Sequence, residues 1–559
     1  MHLNFLPSAV ANHEAQWGLS LFAILVTILW LRYRANLHSF AAATKKQHSP
    51  PTYPYLFPVL GSLPLAYLWK PRDVVLNPKY FFQSAQETIR VKILHEEVYL
   101  IRGAENVKAL FKAPVTSIPF IKFALSYAFG ASAKALTLYD KDDSGLNYAP
   151  HPDSNVEPRN RIDYLVHHST KGFLEGPGLN PLWNRYLQNI SAQLETLQKS
   201  FGPQNEWQFH NDFIALLAKE VTVATINAFW GPHFFSLNPD FIQHFDAFDE
   251  NLQIYMQGRP SFLAPKAYRA RQQGIDAVKK WHKYARDNWN PSCQDATDNE
   301  SDSLWGSKFF REMHDAHLAM GDDGEFGYDA IASSDFGFIW ATRNAITATD
   351  WVIYHAFRDK ELLDTVRGEV DACLNKTGGV YDEEVIQRNC PVLAAVYAET
   401  LRLRTHFYLV RMGDRGKPLS LLGWVIPPKK PVVALTTVAH FDERGWDVGL
   451  NGEYPLDVFW PGRFLKSVEG GKKGEVEFVT KGMEGRWVPY GGGVRMCPGK
   501  HFAKRHIMVT TALMVSMFDV EFVDDSVKEN LTLMGFGGGV SRLVGRAGVK
   551  MRRREADKA

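Results

Sequence analysis

The chain has 559 residues, 45% of them hydrophobic, enough to bury a large core in one big domain or two of ordinary size. Its 63 Lys and Arg nearly balance 61 Asp and Glu, and a net charge of +2 offers no broad basic face, which excludes nucleic acid as a partner. Four cysteines, Cys293, Cys373, Cys390 and Cys497, are too scattered for a disulfide framework, include no C-x-x-C pair for zinc or an iron–sulfur cluster, and point to a reducing compartment.

In chain order, the first element is the uncharged apolar run Trp17 to Leu31, WGLSLFAILVTILWL, followed by Arg32, Arg34, Lys45 and Lys46. A secretory signal carries its positive charges first, so the reverse order predicts a transmembrane helix rather than a cleaved leader. The run is shorter than the roughly 20 residues of a typical span, and Trp17, Trp30 and the snorkelling arginines make up the length; a buried helix is the alternative. The positive-inside rule then puts the rest of the chain in the cytosol, with the sequons at Asn189 and Asn530 unglycosylated. Pro50, Pro51, Pro54, Pro58 and Pro64 stiffen the next segment into a spacer. The expected division is an anchor over 1–34, a basic, proline-rich hinge over 35–64 and a catalytic body over 65–559.

The body reads as mainly α, with strands near Arg90 to Arg102 and Phe518 to Val523, and polar surface loops over 139–161 and 285–303. No proline occurs from Tyr328 to Asn389, where a 3.6-residue period predicts one or more long helices. Near the C-terminus stands WVPYGGGVRMCPGKHFAKR, with Gly491, Gly492 and Gly493 before Cys497, and Pro498 expected at a first helical position ahead of the helically spaced Phe502, His506, Val509, Leu513 and Met517. A cysteine at a helix N-terminus favours thiolate over thiol. One thiolate cannot hold zinc alone, but it can be the only protein ligand of an iron already held by four porphyrin nitrogens; a capped turn with a buried free cysteine is the competing reading.

The stretch YGGGVRMCPG resembles the haem-binding signature of the cytochromes P-450, with Gly493, Arg495, Cys497 and Gly499 in place and Tyr490 where phenylalanine is usual. Downstream, FGGGVSRLVG imitates the loop but has Leu543 in place of the cysteine and cannot ligate iron. Glu399 and Arg402 in AETLRLR are similar to the family's E-x-x-R pair, and FWPGRF supplies Arg463 as its third member. The interval from Glu399 to Arg411 resembles the sterol 7-hydroxylase and prostacyclin-synthase branch, which implies that Arg411 and Arg495 face haem propionates. It also implies a substrate pocket lined by Ala348, Phe407, Tyr408, Leu409 and Phe536. The family's tryptophan–arginine motif is not recognisable, since LWNRYL places Trp183 and Arg185 only two apart. On the distal helix, WATRNAITATDW departs from the usual acid–threonine pattern; Thr347, on the face of Asn344, is the expected proton-relay hydroxyl, with Thr349 in second place and Asp350 after it.

The resemblance implies a cytochrome P450 fold behind an N-terminal transmembrane helix, and a microsomal haem-thiolate monooxygenase with heme b on Cys497. It further implies NADPH-cytochrome P450 reductase as electron donor, cytochrome b5 as an optional second donor, and a single-pass place in the endoplasmic reticulum membrane. A lipophilic sterol, terpenoid or polyketide substrate of fungal-type secondary metabolism fits the resemblance and the 36 Phe, 15 Trp and 21 Tyr. Two alternatives are a reductase-independent isomerase or dehydratase of the same fold, and a non-enzymatic membrane haem-binding or sensor protein.

Overall fold

The computed structural model describes residues 8–42, 48–55, 61–62, 65–68, 70–77, 80, 87–93, 96–295, 298–322, 324–472, 474–528 and 537–555. The chain divides into two compact units, one of Met1–Thr116 with Leu409–Val438 and one of Ser117–Tyr408 with Ala439–Ala559. In chain order, the elements used below are α1 (Ser8–Ala42), β1 (Thr88–Ile93), β2 (Glu96–Ile101), α2 (Ile162–Glu175), α3 (Leu179–Ser200), α4 (Phe213–Trp230), α5 (Phe241–Glu250), α6 (Pro265–Asn288), α7 (Gly327–Arg358), α8 (Lys360–Thr377), α9 (Pro391–Arg404), β3 (Thr405–Gly413), β4 (Val432–Leu435), α10 (Lys500–Met517), β5 (Phe518–Asp525), β6 (Gly538–Val540) and β7 (Ala547–Arg553).

In the first unit the apolar run is the middle of the longer helix α1. Its stretch Trp17–Ala42 has a mean hydropathy of 1.4 and none of it is buried, so its length and composition suit a membrane span. Helix continues through Leu37 and Phe40 to Ala42, past the anchor limit expected at 34, because no proline or glycine interrupts it there. This unit also holds a small sheet: β1 and β2 pair antiparallel with Thr88 opposite Ile101, and β4 lies parallel to β2 with Val432 opposite Tyr99. The strands expected near Arg90 to Arg102 are these two.

The second unit is built on helices. α7 is the long proline-free helix expected in the middle of the chain; from Ile346 to Phe357 every residue is buried, which suits a helix apolar on most faces. It ends where Asp359 caps α8 by accepting from the Leu362 N–H, and α8 stops at Gly378, whose φ of 66° is the left-handed conformation of a helix C-terminus. β5 and β7 pair antiparallel, Phe518 opposite Arg553, and residues Gln208–His210 add a third strand through His210 opposite Val549. β6 pairs with the first half of β3, Gly538 opposite Phe407 and Val540 opposite Thr405. The stretch 285–303 lies largely at the surface, as expected, but it is tied down. Its first residues end α6, and Arg185 of α3 donates to Asp298 at 2.9 Å and to Ser307 at 2.8 Å, pinning the segment to the body.

Deletion of residues 1–42 is expected to leave a body that alkaline carbonate strips from membranes while the intact chain resists. Equal extraction of the two forms would show that α1 is not the anchor.

Candidate active site

The helix α9 carries Glu399 and Arg402 one turn apart, and both are fully buried. Arg402 donates to both carboxylate oxygens of Glu399, at 2.7 and 2.9 Å, and spends its remaining N–H groups on the carbonyls of His440 and Leu456 at 3.0 and 2.7 Å. Arg463, from the short turn Pro461–Phe464, donates to Glu399 Oε1 at 3.1 Å and to the carbonyls of Tyr454 and Pro455. The same carboxylate oxygen accepts from the backbone N–H of Trp460 at 3.0 Å. The three residues singled out by the motifs therefore meet in one dry cluster, where buried charges require this degree of pairing.

Two residues not singled out from the sequence join that cluster to the cysteine loop. Burial holds the His440 imidazole down to about 3, so it is neutral. Its Nδ1 lies 2.9 Å from the Arg402 carbonyl, and its Nε2 accepts from the Val488 N–H at 3.1 Å, which assigns the proton to Nδ1. Trp487 donates its indole N–H to the carbonyl of Ala398 at 3.1 Å. Neither has a spacing signal: His440 and Trp487 are far apart in sequence from Glu399 and meet α9 only through the fold.

The loop itself turns on Gly491 and Gly493, at φ 68° and 67°, and closes when the Cys497 N–H donates to the Tyr490 carbonyl at 2.9 Å. Tyr490 places its hydroxyl 2.9 Å from that of Tyr397 on α9. Helix α10 begins at Lys500 with Gly499 as its cap, so Pro498 lies ahead of the helix and not at its first position. Cys497 was expected to be a thiolate by virtue of the helix end. Here desolvation is larger and pushes the thiol up, while the N–H groups of Gly499 and Lys500 and the Lys500 charge pull the other way. The thiol is surface-accessible although many protein atoms surround it.

Arg495 places two N–H groups on the two oxygens of Asp163, at the start of α2, one of them at 2.8 Å, while its Nε is buried without an acceptor among the described residues. A cavity lined by Ile121, Tyr139, Asp163, His167, Arg495 and Pro498 adjoins this pair. A lone accessible cysteine ringed by backbone N–H groups, beside an arginine with a donor still unmatched, fits an anionic, planar metal macrocycle held by one thiolate. The profile of the family described as Cytochrome P450 matches residues 169–542. The chain belongs to the cytochrome P450 family.

Its relatives include cytochrome P450 monooxygenase efuG of Hormonema carpetanum, 28% identical over 99% of this chain and 100% of the relative. Cytochrome P450 monooxygenase fsoE of Humicola fuscoatra is 27% identical over 89% and 86%, and the cholesterol 7-alpha-monooxygenase of Cricetulus griseus is 26% identical over 51% and 54%. This P450 is a monooxygenase, of the family whose iron is a haem-thiolate.

On helix α7, of the face expected to carry Trp340, Asn344, Thr347, Ala348 and Trp351, three residues, Trp340, Asn344 and Trp351, turn toward β6 and the residue after it. Trp340 donates to Asp249 of α5 at 3.0 Å, and Trp351 donates to the Ser541 carbonyl at 2.7 Å. Asn344, expected as a catalytic residue, is instead committed to the strand: its Oδ1 accepts from the Val540 N–H at 2.8 Å. Thr347 sits between them, buried, its hydroxyl without a partner among the described residues. Thr349 is on the neighbouring face, donating to the Ala345 carbonyl at 2.9 Å and lying 2.9 Å from His506 Nδ1 of α10. Burial pushes the Asp350 carboxyl up to about 7, and its Oδ1 has no hydrogen-bond partner among the described residues.

Ala348 is buried on this helix, and the Phe407 ring meets Phe120 edge-on at 6.1 Å. Tyr408 lies against Gly537, whereas Leu409 and Arg411 belong to the first unit and Phe536 lies outside the described residues. Arg185 and Trp183 are structural: the first pins 285–303, and the second is buried in the core of the second unit.

Replacing Glu399 with Ala leaves Arg402 and Arg463 buried without their shared anion, at a cost of about 3–5 kcal/mol. The expected result is a body with little haem per protein and a urea midpoint well below that of the parent; an unchanged midpoint contradicts the account.

Proposed function

We propose that this P450 oxidises a lipophilic small molecule of the sterol, terpenoid or polyketide kind, with heme b held through Cys497. NADPH-cytochrome P450 reductase supplies the electrons, with cytochrome b5 as a second donor, and α1 holds the enzyme as a single pass in the endoplasmic reticulum membrane with its body in the cytosol. The observation that carries this reading is the Cys497 loop, whose thiol is surface-accessible, deep in the body and faced by two N–H groups at the start of α10. The relative named cholesterol 7-alpha-monooxygenase supports a lipophilic substrate, and the two relatives named cytochrome P450 monooxygenases support the reaction class.

When bound, the haem supplies reductive activation of dioxygen and insertion of one oxygen atom into a C–H bond. The chain does the rest. Cys497 would hold the haem iron through its sulfur, and the buried Glu399, Arg402 and Arg463 keep its loop in place through His440 and Trp487. Tyr490, Gly493 and Gly499 shape the wall against which the flat cofactor lies. Arg495, through its unmatched donor, takes one propionate; Arg411 is assigned the other on motif spacing alone. Thr347 passes protons inward through ordered water, because its hydroxyl is uncommitted whereas that of Thr349 already serves Ala345 and His506. The alternative of a rearranging isomerase or dehydratase draws on one feature, Ile346 in place of an acid before Thr347.

The test of the ligand is the red-shifted Soret band of the ferrous carbon monoxide complex. Cys497→Ser is expected to abolish it and Cys293→Ser, Cys373→Ser and Cys390→Ser to keep it; retention by Cys497→Ser overturns the assignment. Thr347→Ala is expected to lower product formed per NADPH consumed by about tenfold or more, with hydrogen peroxide taking up the difference, while Thr349→Ala does less. The reverse ranking would move the relay to Thr349, and product formed from an oxygenated substrate without NADPH would establish the rearrangement chemistry.

A further inference from the structure

Away from the Cys497 loop, two thiols meet inside the second unit. Cys373, in the last turns of α8, and Cys390, the residue that caps α9, are 1% and 0% exposed, and their sulfurs are 3.5 Å apart. A disulfide bond is about 2.05 Å long, so the two atoms have about 1.5 Å to close, a distance within the reach of side-chain rotation. Glu369 lies one turn before Cys373 on the same face of α8, and its carboxylate accepts from the N–H groups of Val392 and Leu393 at 2.8 and 3.1 Å. The end of one helix, the start of the next and both sulfurs are thus already held in one corner.

We propose that Cys373 and Cys390 form a dithiol oxidation site, whose disulfide product fastens the end of α8 to the start of α9, the helix that carries Glu399 and Arg402. The oxidant is a hydroperoxide. One sulfur attacks the O–O bond, which breaks to give a sulfenic acid and, from hydrogen peroxide, water; the second sulfur displaces the sulfenic oxygen as a second water and the S–S bond forms. Two electrons pass from the thiols to the peroxide, and both thiol protons leave in the water.

Burial pushes the Cys390 thiol up, and the neighbouring Cys373 and Glu369 act in the same direction, so that thiol rests protonated. Oxidation is therefore slow and proceeds through local opening, later than at the less buried Cys293. Once formed, the buried disulfide is equally slow to reduce.

The experiment uses the full-length holoenzyme, treated with hydrogen peroxide, alkylated under denaturing conditions and digested with trypsin without reduction. The expected product joins GEVDACLNK (368–376) to NCPVLAAVYAETLR (389–402), about 2 Da lighter than the sum of the two thiol peptides, and reverts with dithiothreitol. It accumulates after Cys293 is modified and brings a higher thermal midpoint. Cys390→Ser and Cys390→Ala are both expected to lose the linked peptide and the midpoint rise. The proposal is overturned if Cys293 is fully modified and no such peptide appears on prolonged treatment, if either thiol pairs elsewhere, or if the midpoint still rises in both variants.

Discussion

Everything around the cysteine loop hangs on one buried anion. Glu399 receives four hydrogen bonds, two from Arg402, one from Arg463 and one from the Trp460 backbone, and none of the three side chains reaches the surface. In a medium of low polarity an unpaired charge is costly, so the carboxylate forces both guanidiniums into fixed orientations. Their other N–H groups then fix the carbonyl of His440, at the end of the helix Thr436–His440, and those of Tyr454, Pro455 and Leu456, a segment with no regular secondary structure to hold it otherwise. Through the His440 imidazole the constraint reaches Val488, at the entrance to the loop.

A second buried polar chain ties α7 to α10 and α4. His506 lies 2.9 Å from Thr349 and 3.1 Å from Thr225, and burial holds its imidazole down to about 3. A neutral ring has one N–H and one lone pair, so one threonine accepts from it and keeps its bond to its own helix carbonyl, while the other must turn its proton to the ring. The carbonyls concerned are those of Ala345 and Val221. The Tyr186 ring stacks on His506 at 4.3 Å and places its hydroxyl 2.7 Å from Thr510, closing the network with α3. The Thr349 hydroxyl is thereby committed to the packing of α7 against α10.

The strand β6 shows why a stretch imitating a haem loop is rich in glycine. A Cβ on Gly537 would lie 2.4 Å from the Tyr408 ring, one on Gly538 2.7 Å from Leu252, and one on Gly539 2.0 Å from Asn344 Oδ1. Three successive glycines let a strand lie between a tyrosine, a leucine and the central helix, with Asn344 bonding its backbone. The same triplet before Cys497 serves a different end, a turn through two positive φ values at Gly491 and Gly493.

The sequence by itself was sufficient for features that repeat at short range: the apolar stretch of α1, the proline-free periodicity of α7, the i,i+3 pair of α9 and the glycine–cysteine loop. Local spacing encodes each of these, because helix geometry and backbone freedom depend on near neighbours. Only the tertiary structure decided the roles of Asn344, Thr349, His440 and His506, because a hydrogen-bond partner contributed by a distant segment leaves no mark on spacing. The direction in which the metal-free Cys497 thiol is shifted belongs to the same class. A helix end close in sequence argued for thiolate, but desolvation is set by every segment packed around the sulfur, and it outweighs the two N–H groups that the local sequence supplies.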